Sequence, residues 1–552
     1  MYLGIDVGGT HTDAVVLSEG QEVLAHAKAV TRDPVIGGLR EALQGLSKEV
    51  PLKAGAKGGG IRRLTVSTTL GLNSVLTGTA GPVGVLATSG PGLDIEGGPY
   101  GPLFRLIKGS QDHRGKALAP IDPAEAKEAA AGFAKKGAKA IVCASKFGPK
   151  NQELEEGMAR AAREAFQGPV MLASSLFGGL NFKRRLNSAY LNALVHGIYR
   201  SFLADLANVL EEFGLTCETL LLKSDGGVMD LGEARRLPVL ALAAGPAASL
   251  LGLWHLRGEA PFDTLMADMG GTSTDLAVIS QGQPLLTPEG LRIAGLDTLV
   301  RGLLTRSMAL GGDTDIAYED RRFRPLPVRR GPALALEPAS APGRLPTLTD
   351  ATNVLGLSSL GDTEVSAQAF RKLEPDKDPK ELALLACEAV LGVLSGSASA
   401  FLSEINQRPA YTISELLLER RIEPRDVVFL GGPAGSIRAL GEKSLGLPAE
   451  APPEASYANA LGAALAKPTI AAELYADTAL SIMTIPVYGV RRAVGRDYRL
   501  DRAEADLLEA MGGGDDLQVT LRESFNQLGD YGRSGRVIRV RAQSAPGLIS
   551  RA

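Results

Sequence analysis

One octapeptide occurs twice in this chain, and that constrains the fold more than any other feature. Asp6-Val7-Gly8-Gly9-Thr10-His11-Thr12-Asp13 returns as Asp268-Met269-Gly270-Gly271-Thr272-Ser273-Thr274-Asp275, changed only at Val7/Met269 and His11/Ser273. Apolar residues flank both copies: Tyr2-Leu3-Gly4-Ile5 and Ala14-Val15-Val16-Leu17 in the first, Thr264-Leu265-Met266-Ala267 and Leu276-Ala277-Val278-Ile279 in the second. Short apolar runs around a Gly-Gly pair read as a β-hairpin, with glycine supplying backbone geometry that other residues resist. Two such hairpins so far apart predict two related half-molecules.

The chemistry of the bend follows from its residues. A Gly-Gly-Thr turn lets backbone N–H groups and a hydroxyl approach phosphate oxygens, because no Cβ stands in the way. The aspartate before it, at a strand end, suits a divalent cation held through water, or the orientation of a nucleophile. A single glycine hairpin is a common structural device. Two near-identical copies, each opening and closing on aspartate, predict a pair that grips phosphates from both sides of a cleft.

At 552 residues the chain is too long for one ordinary core, so two or three domains are expected. With 59 basic and 62 acidic residues interspersed, no global field recruits nucleic acid or an anionic membrane. Cys143, Cys217 and Cys387 are too scattered for a disulfide framework or a zinc spacing, which fits a reducing, cytoplasmic setting. The first predicted strand begins too early to leave room for a signal peptide, and no uninterrupted apolar run reads as a membrane span. No HExxH pattern occurs among the five histidines; His11 alone sits in a phosphate turn.

Along the chain, a helix is expected from Val35 to Leu46 with Pro34 at its start, then a glycine-rich loop from Lys53 to Gly60. The strand Ile61 to Val66 leads into Ser67-Thr68-Thr69-Leu70-Gly71-Leu72-Asn73, hydroxyls and an amide at a strand's C-terminal end, where open α/β sheets place ligands. A helix N-cap is the structural alternative for either threonine. Strands at Gly84–Thr88, Ala138–Cys143 and Val170–Ala173 alternate with helices from Asp122 and Asn151, which argues for an α/β domain ending near 175. The stripe Leu186, Tyr190, Leu194, Ile198, Phe202, Leu206 and Leu210 marks a long core helix. Ser224-Asp225-Gly226-Gly227 forms another turn, and Ala309 to Asp315, with Gly311 and Gly312, a third glycine bend with carboxylates. Arg321 to Pro346 is proline-rich and expected to be irregular. A helix is expected from Glu381 to Asn406, the strand Val427–Leu430 ends in Gly431-Gly432-Pro433, and Ala458 to Ala464 is a small-residue helix.

Two Asp-x-Gly-Gly-Thr hairpins followed by a strand ending in Gly-Gly-Pro resemble the phosphate and adenosine elements of the actin, sugar kinase and Hsp70 superfamily. More narrowly, the chain resembles the hydantoinase A / 5-oxoprolinase family, including acetone carboxylase-type subunits. The residues that carry this are both hairpins, Ser224-Asp225-Gly226-Gly227, Ala244-Gly245-Pro246-Ala247 and Thr347 to Gly356, roughly residues 1 to 470 in the family's order. The family's usual His-Gly-Thr-Thr reads Val66-Ser67-Thr68-Thr69 here, with Asn73 retained, and its glycine turn ending in serine reads Gly311-Gly312-Asp313-Thr314.

The resemblance implies an α/β fold of two related ribonuclease H-like, actin-like ATPase domains closing on a nucleotide cleft, with a small C-terminal extension. Its expected segments are 1–175, 176–475 and 476–552. It implies ATP and Mg²⁺ as cofactors and a cyclic amide of the hydantoin or 5-oxoproline type as substrate, opened after its carbonyl oxygen is phosphorylated. Asp6 and Asp268 are the expected catalytic and metal-holding residues. Gly8, Gly9, Thr10, Thr12, Asp13, Gly270, Gly271, Thr272, Ser273, Gly311, Gly312, Gly431, Gly432 and Pro433 are expected around the nucleotide, and Thr68, Thr69, Asn73 and Asp225 around the substrate. A hydantoinase B-type subunit is the expected partner, and the resemblance leaves room for a homo-oligomer. A small-molecule kinase and a non-catalytic ATP-driven switch are the alternative readings of the same hairpins.

Overall fold

The computed structural model describes residues 1–31, 35–53, 60–90, 92, 95, 98–258, 260–287, 289–327, 329–337, 343–407, 421–514, 516–528 and 534–550. The expected helix start at Pro34, most of the loop from Lys53 to Gly60, and Pro338 and Pro342 lie outside them.

Both octapeptides are hairpin turns in the same register. Tyr2–Val7 pairs antiparallel with His11–Leu17, Asp6 opposite Asp13, and Thr264–Met269 pairs with Thr274–Ser280, Asp268 opposite Asp275. The inner strand of each hairpin takes a parallel neighbour, Arg63–Thr68 in the first half and Asp426–Leu430 in the second. A further parallel strand follows in each: Glu218–Leu222, and Ala449–Glu450. On the other side an antiparallel third strand completes the pattern, Val23–Val30 in the first half and Thr305–Met308 in the second. Two sheets therefore share one order of three antiparallel and two parallel strands, the duplicated α/β architecture that the repeat predicts. Leu3, Ile5, Leu265 and Met266 are buried, as strands covered on both faces require.

Parallel neighbours that run with the inner hairpin strand end on the same edge as the turn. Thr68, Lys223 and Gly431 consequently emerge on the edges that carry the two bends, the ligand edge of open α/β sheets.

Three further units surround this frame. Val170–Leu172, Ala140–Ser145, Val83–Thr88 and Phe104–Leu106 form a parallel sheet with helices Pro123–Lys135 and Glu153–Arg163 on it. The long helix Phe182–Glu212 buries Leu186, Phe202, Leu206 and Leu210 in the first half's core. Because Glu218–Leu222 also belongs to the first sheet, that half continues past the expected boundary at 175. The expected boundary at 475 falls inside a strand: Ala471–Asp477 opens an antiparallel sheet with Ile482–Ile485, Val490–Ala493, Leu517–Leu528 and Ser534–Ser544, backed by helix Leu500–Ala510. Part of the proline-rich excursion is regular after all, since Arg322–Pro325 pairs with Ile316–Glu319. Helix Pro379–Asn406 is long and apolar enough by composition to cross a membrane, although Glu388 interrupts its apolar run. Its Leu382, Ala386, Val390, Leu394 and Phe401 lie in the second core.

The small-residue helix, Ala458–Leu465, brings the halves into backbone contact. A methyl on Gly4 of the first hairpin would lie 2.0 Å from the Ala460 carbonyl oxygen. On helix Ala244–Arg257, a methyl on Gly252 would lie 1.9 Å from the Ala458 oxygen, and one on Gly462 2.0 Å from the Ala248 oxygen. Only glycine fits such separations.

Candidate functional site

The two bends close identically and face each other. Gly8 N–H donates to the His11 carbonyl at 3.0 Å and Gly270 N–H to the Ser273 carbonyl at 2.9 Å. A methyl placed on Gly271 would stand 3.8 Å from Thr10 Cγ2 and 2.8 Å from Asp313 Oδ2, so the second bend looks directly across at the first. The amides of Gly9, Thr10, Gly271 and Thr272 have no hydrogen-bond partner among the described residues. Donors left open on a glycine bend are what a phosphate oxygen takes up.

Carboxylates line the same cleft. Asp6 is buried; its Oδ2 accepts from Asn459 Nδ2 at 2.6 Å, while Oδ1 has no partner among the described residues. Burial pushes its carboxyl up to about 6, with the charges of Asp13 and Asp268 adding to the shift. Asp268 accepts from the Ser249 hydroxyl, and burial raises its pKa, with the charge of Asp13 adding. Asp275 accepts from the Ser307 hydroxyl; burial pushes it up to about 7, with Asp268 and Asp6 contributing. Asp13 is held by Lys28 Nζ at 2.8 Å. Among the described residues no three acidic, histidine or cysteine side chains converge tightly enough to hold a metal ion alone. The donor set nonetheless fits a hydrated divalent cation. Mutually repelling carboxylates, one with an orphaned buried oxygen, are relieved by a cation placed between them and phosphate.

The third glycine bend buttresses the second hairpin. Gly312 N–H donates to the Gly270 carbonyl at 2.9 Å and Asp313 N–H to the Gly271 carbonyl at 2.8 Å. Thr349, from the Thr347-to-Gly356 block, donates through both backbone and hydroxyl to the Gly312 carbonyl at 2.9 Å. That block forms helix Leu348–Val354, opened by a Thr347/Asp350 capping box, so its role is to brace the bend. Asp313 accepts from Arg329 at 2.8 Å, and its pKa is raised by burial against the pull of that guanidinium. His11 sits nearby, Nδ1 3.3 Å from Thr10 Oγ1, its pKa lowered by burial and by Lys28.

The Gly-Gly-Pro turn meets the same place. Gly431 has φ +86°, and a methyl there would lie 2.1 Å from the Met269 carbonyl oxygen and 2.8 Å from Asp268 Oδ1. Pro433 Cγ lies 3.0 Å from the position of a methyl on Gly312, whereas Gly432 faces open space. Gly311, Gly312, Gly431, Gly432 and Pro433 are thus gathered around the second hairpin.

Other expected residues are placed differently. Thr12 is fully buried, its hydroxyl 3.1 Å from that of Thr31, on the sheet face away from the cleft. Thr68 is buried and accepts from Leu70 N–H at 3.1 Å, the helix-start role rather than a ligand contact. Thr69 and Asn73 do reach the cleft: Asn73 Nδ2 lies 3.4 Å from Thr69 Oγ1 and 3.3 Å from the position of a methyl on Gly9. Thr272 is exposed and Ser273 partly exposed on the second bend. Asp225 belongs to another cavity, where it accepts from Gly227 N–H at 2.9 Å and from the Thr469 hydroxyl at 2.8 Å. Asn459 and Ser249, which hold the two leading carboxylates, are absent from the sequence-based set. Their signal was a lone amide and a lone hydroxyl in runs of small residues facing a repeated aspartate.

With this geometry in hand, comparisons place the chain among known proteins. Residues 2–166 match the hydantoinase/oxoprolinase N-terminal region and residues 185–472 match hydantoinase/oxoprolinase. The chain is 24% identical over 491 residues to the acetophenone carboxylase gamma subunit of Aromatoleum aromaticum, a match covering 80% of this chain and 64% of that one. This chain therefore spans less than two thirds of that relative's length. It is 26% identical over 515 residues to an uncharacterised protein of Methanocaldococcus jannaschii, covering 84% and 72%. A nucleotide-free structure of acetone carboxylase, an enzyme of ATP-dependent acetone carboxylation, superimposes with a TM-score of 0.71 at 17% identity, covering 99% of this chain and 87% of that one. The ATP-dependent caprolactamase of Pseudomonas jessenii gives 0.68 at 17% identity, covering 100% and 87%. Similarity at that identity shows the shared fold.

Proposed function

This chain belongs to the hydantoinase/oxoprolinase family, and from that premise we propose that it is an ATP-dependent enzyme that activates the carbonyl of a cyclic amide, of the hydantoin or 5-oxoproline type, for hydrolysis. The observation that carries this reading is the pair of facing bends, Thr10 opposite Gly271, with Gly431-Gly432-Pro433 seated against Asp268. An unstrained lactam carbonyl is a poor electrophile because its nitrogen donates into it. Transfer of a phosphoryl group to the carbonyl oxygen turns that oxygen into a leaving group and opens the carbon to water.

The chain's own residues supply positioning and charge stabilisation, the main demands of phosphoryl transfer. The open amides of Gly9, Thr10, Gly271 and Thr272 would receive phosphate oxygens from both sides. Gly432, with open space before it, would let the nucleoside lie against backbone. Asp6 and Asp268 would hold Mg²⁺ through water, each fixed by its own neighbour, Asn459 or Ser249. When bound, that cation neutralises phosphate charge. Thr69 and Asn73, beside Gly9, are the proposed substrate contacts. The similarity to a gamma subunit, that of acetophenone carboxylase, supports a second, B-type protein as partner.

The test incubates the purified chain with Mg-ATP, alone and with a B-type protein, against panels of lactams and sugars. Phosphate release that depends on a lactam is expected. A stable phosphorylated sugar instead would make the chain a kinase, and nucleotide turnover indifferent to every lactam would overturn the proposal.

A further inference from the structure

The proline-rich excursion from Arg321 to Pro346 has no part in the reading above, yet its return limb is fastened over the third glycine bend. Ala333 N–H donates to Asp313 Oδ1 at 3.2 Å, and the N–H groups of Leu334 and Ala335 donate to the two Asp350 oxygens at 3.0 and 3.1 Å. These ties carry Arg329, a few residues earlier, to the mouth of the phosphate cleft.

There the arginine meets a carboxylate in an awkward place. Asp313 Oδ2 lies only 2.8 Å from the position of a methyl on Gly271, whose amide is one of the open donors, so its charge opposes an arriving phosphate. Arg329 Nη2 donates to that same oxygen at 2.8 Å, which leaves a single carboxylate oxygen between the guanidinium and the second bend. Burial and Lys28 lower the pKa of His11 on the first bend, and Arg329 adds to that shift, so its field crosses the cleft. Arg329 also keeps donors in reserve. Its side chain is 30% exposed, and Nε and Nη1 have no hydrogen-bond partner among the described residues. Lys28, by contrast, divides its ammonium between Asp13 and the Ser456 carbonyl. A guanidinium has donors enough to hold a carboxylate and a phosphate at once.

We propose that Arg329 is a phosphate ligand: Nη2 stays on Asp313 while the remaining donors take oxygens of the nucleotide's phosphate chain held between the bends. This role rests on the nucleotide reading of those bends and gives the excursion a purpose. It delivers to the cleft a cation that the duplicated hairpins themselves do not encode.

Isothermal titration calorimetry of the whole chain with Mg-AMPPNP, a non-hydrolysable ATP analogue, separates this role from a merely structural pairing with Asp313. Arg329→Gln is expected to weaken Mg-AMPPNP binding at least about tenfold, the scale of one lost charge-assisted hydrogen bond. The double variant Asp313→Asn/Arg329→Gln is expected to bind more weakly than Asp313→Asn alone by a similar factor, since removing the carboxylate does not replace the lost donors. In the unsubstituted chain, phenylglyoxal is expected to modify Arg329, read by mass spectrometry, and Mg-AMPPNP but not adenosine to suppress that modification. Unchanged affinity in Arg329→Gln, a double variant that binds as tightly as Asp313→Asn, or labelling of Arg329 that Mg-AMPPNP leaves unaltered would each overturn the proposal. An unsubstituted chain that takes up no Mg-AMPPNP would overturn the nucleotide reading with it. The outcome is independent of whether a lactam drives ATP turnover.

Discussion

The first and second hairpins are near-copies in sequence and register, yet their closing aspartates live in different electrostatic surroundings. The cause lies one strand away. Lys28 stands directly opposite Asp13 on the third strand of the first sheet; Ser307 occupies the same place opposite Asp275 in the second. Asp13 therefore faces an ammonium, whereas Asp275 has only a hydroxyl, and burial lifts its carboxyl to about 7. Duplication fixed the backbone of the bend, and the neighbouring strand decides its charge. A cation arriving at the cleft thus finds one side already compensated and the other in need of it.

Removing the leading carboxylates tests whether both copies are used. Asp6→Ala and Asp268→Ala should each lower ATP turnover by about a hundredfold or more, read as phosphate release. If one variant keeps full turnover, that half of the comparison contributes only structure. The turn Gly431-Gly432-Pro433 packs on the second copy and separates fit from function. Gly431→Ala should cost about 2–4 kcal/mol in urea unfolding, from positive φ and the clash with the Met269 carbonyl. Gly432→Ala, facing open space, should stay within about 0.5 kcal/mol.

The electrostatic contrast itself has a pH signature. A carboxyl whose folded pKa is raised contributes stability that is fully present below its unfolded pKa and declines as pH rises through the folded value. With Asp6 at about 6 and Asp275 at about 7, the metal-free, nucleotide-free protein should lose thermal stability from pH 4 towards pH 7. Asp275→Asn should flatten the upper part of that slope in differential scanning calorimetry with EDTA present; an unchanged slope would remove the distinction between the copies. A small effect is expected from Lys28→Met. Lys28 is 41% exposed, so solvent screening limits its pair with Asp13 to roughly 1 kcal/mol or less. Nucleotide affinity should then change by less than about fivefold.

Most of this frame was readable in the chain because glycine bends are local: Asp6 to Asp13 and Asp268 to Asp275 carry their geometry within eight residues. Gly431 was readable for the same reason. Thr12 was misplaced because strand side chains alternate between faces, so it points away from the cleft that the bend serves. Asp225 was drawn to the substrate side because its turn ends a parallel strand. That strand, Glu218–Leu222, is separated from Tyr2–Val7 by Arg63–Thr68, about 10 Å across the sheet, which opens a different space. Asn459 escaped notice because its contact with Asp6 joins residues 453 apart in sequence. The first sheet also recruits Glu218–Leu222 from beyond the long helix, a pairing that no local stretch announces.

Helix Ala458–Leu465 has a mechanical consequence. Asp6 hangs from it through Asn459, and Asp268 hangs through Ser249 from helix Ala244–Arg257, which is locked against it at Gly252 and Gly462. Such a joint leaves no room for a side chain between the helices. Anything that pried these two helices apart would therefore shift both acidic anchors, and the bends that follow each of them by two residues, at once.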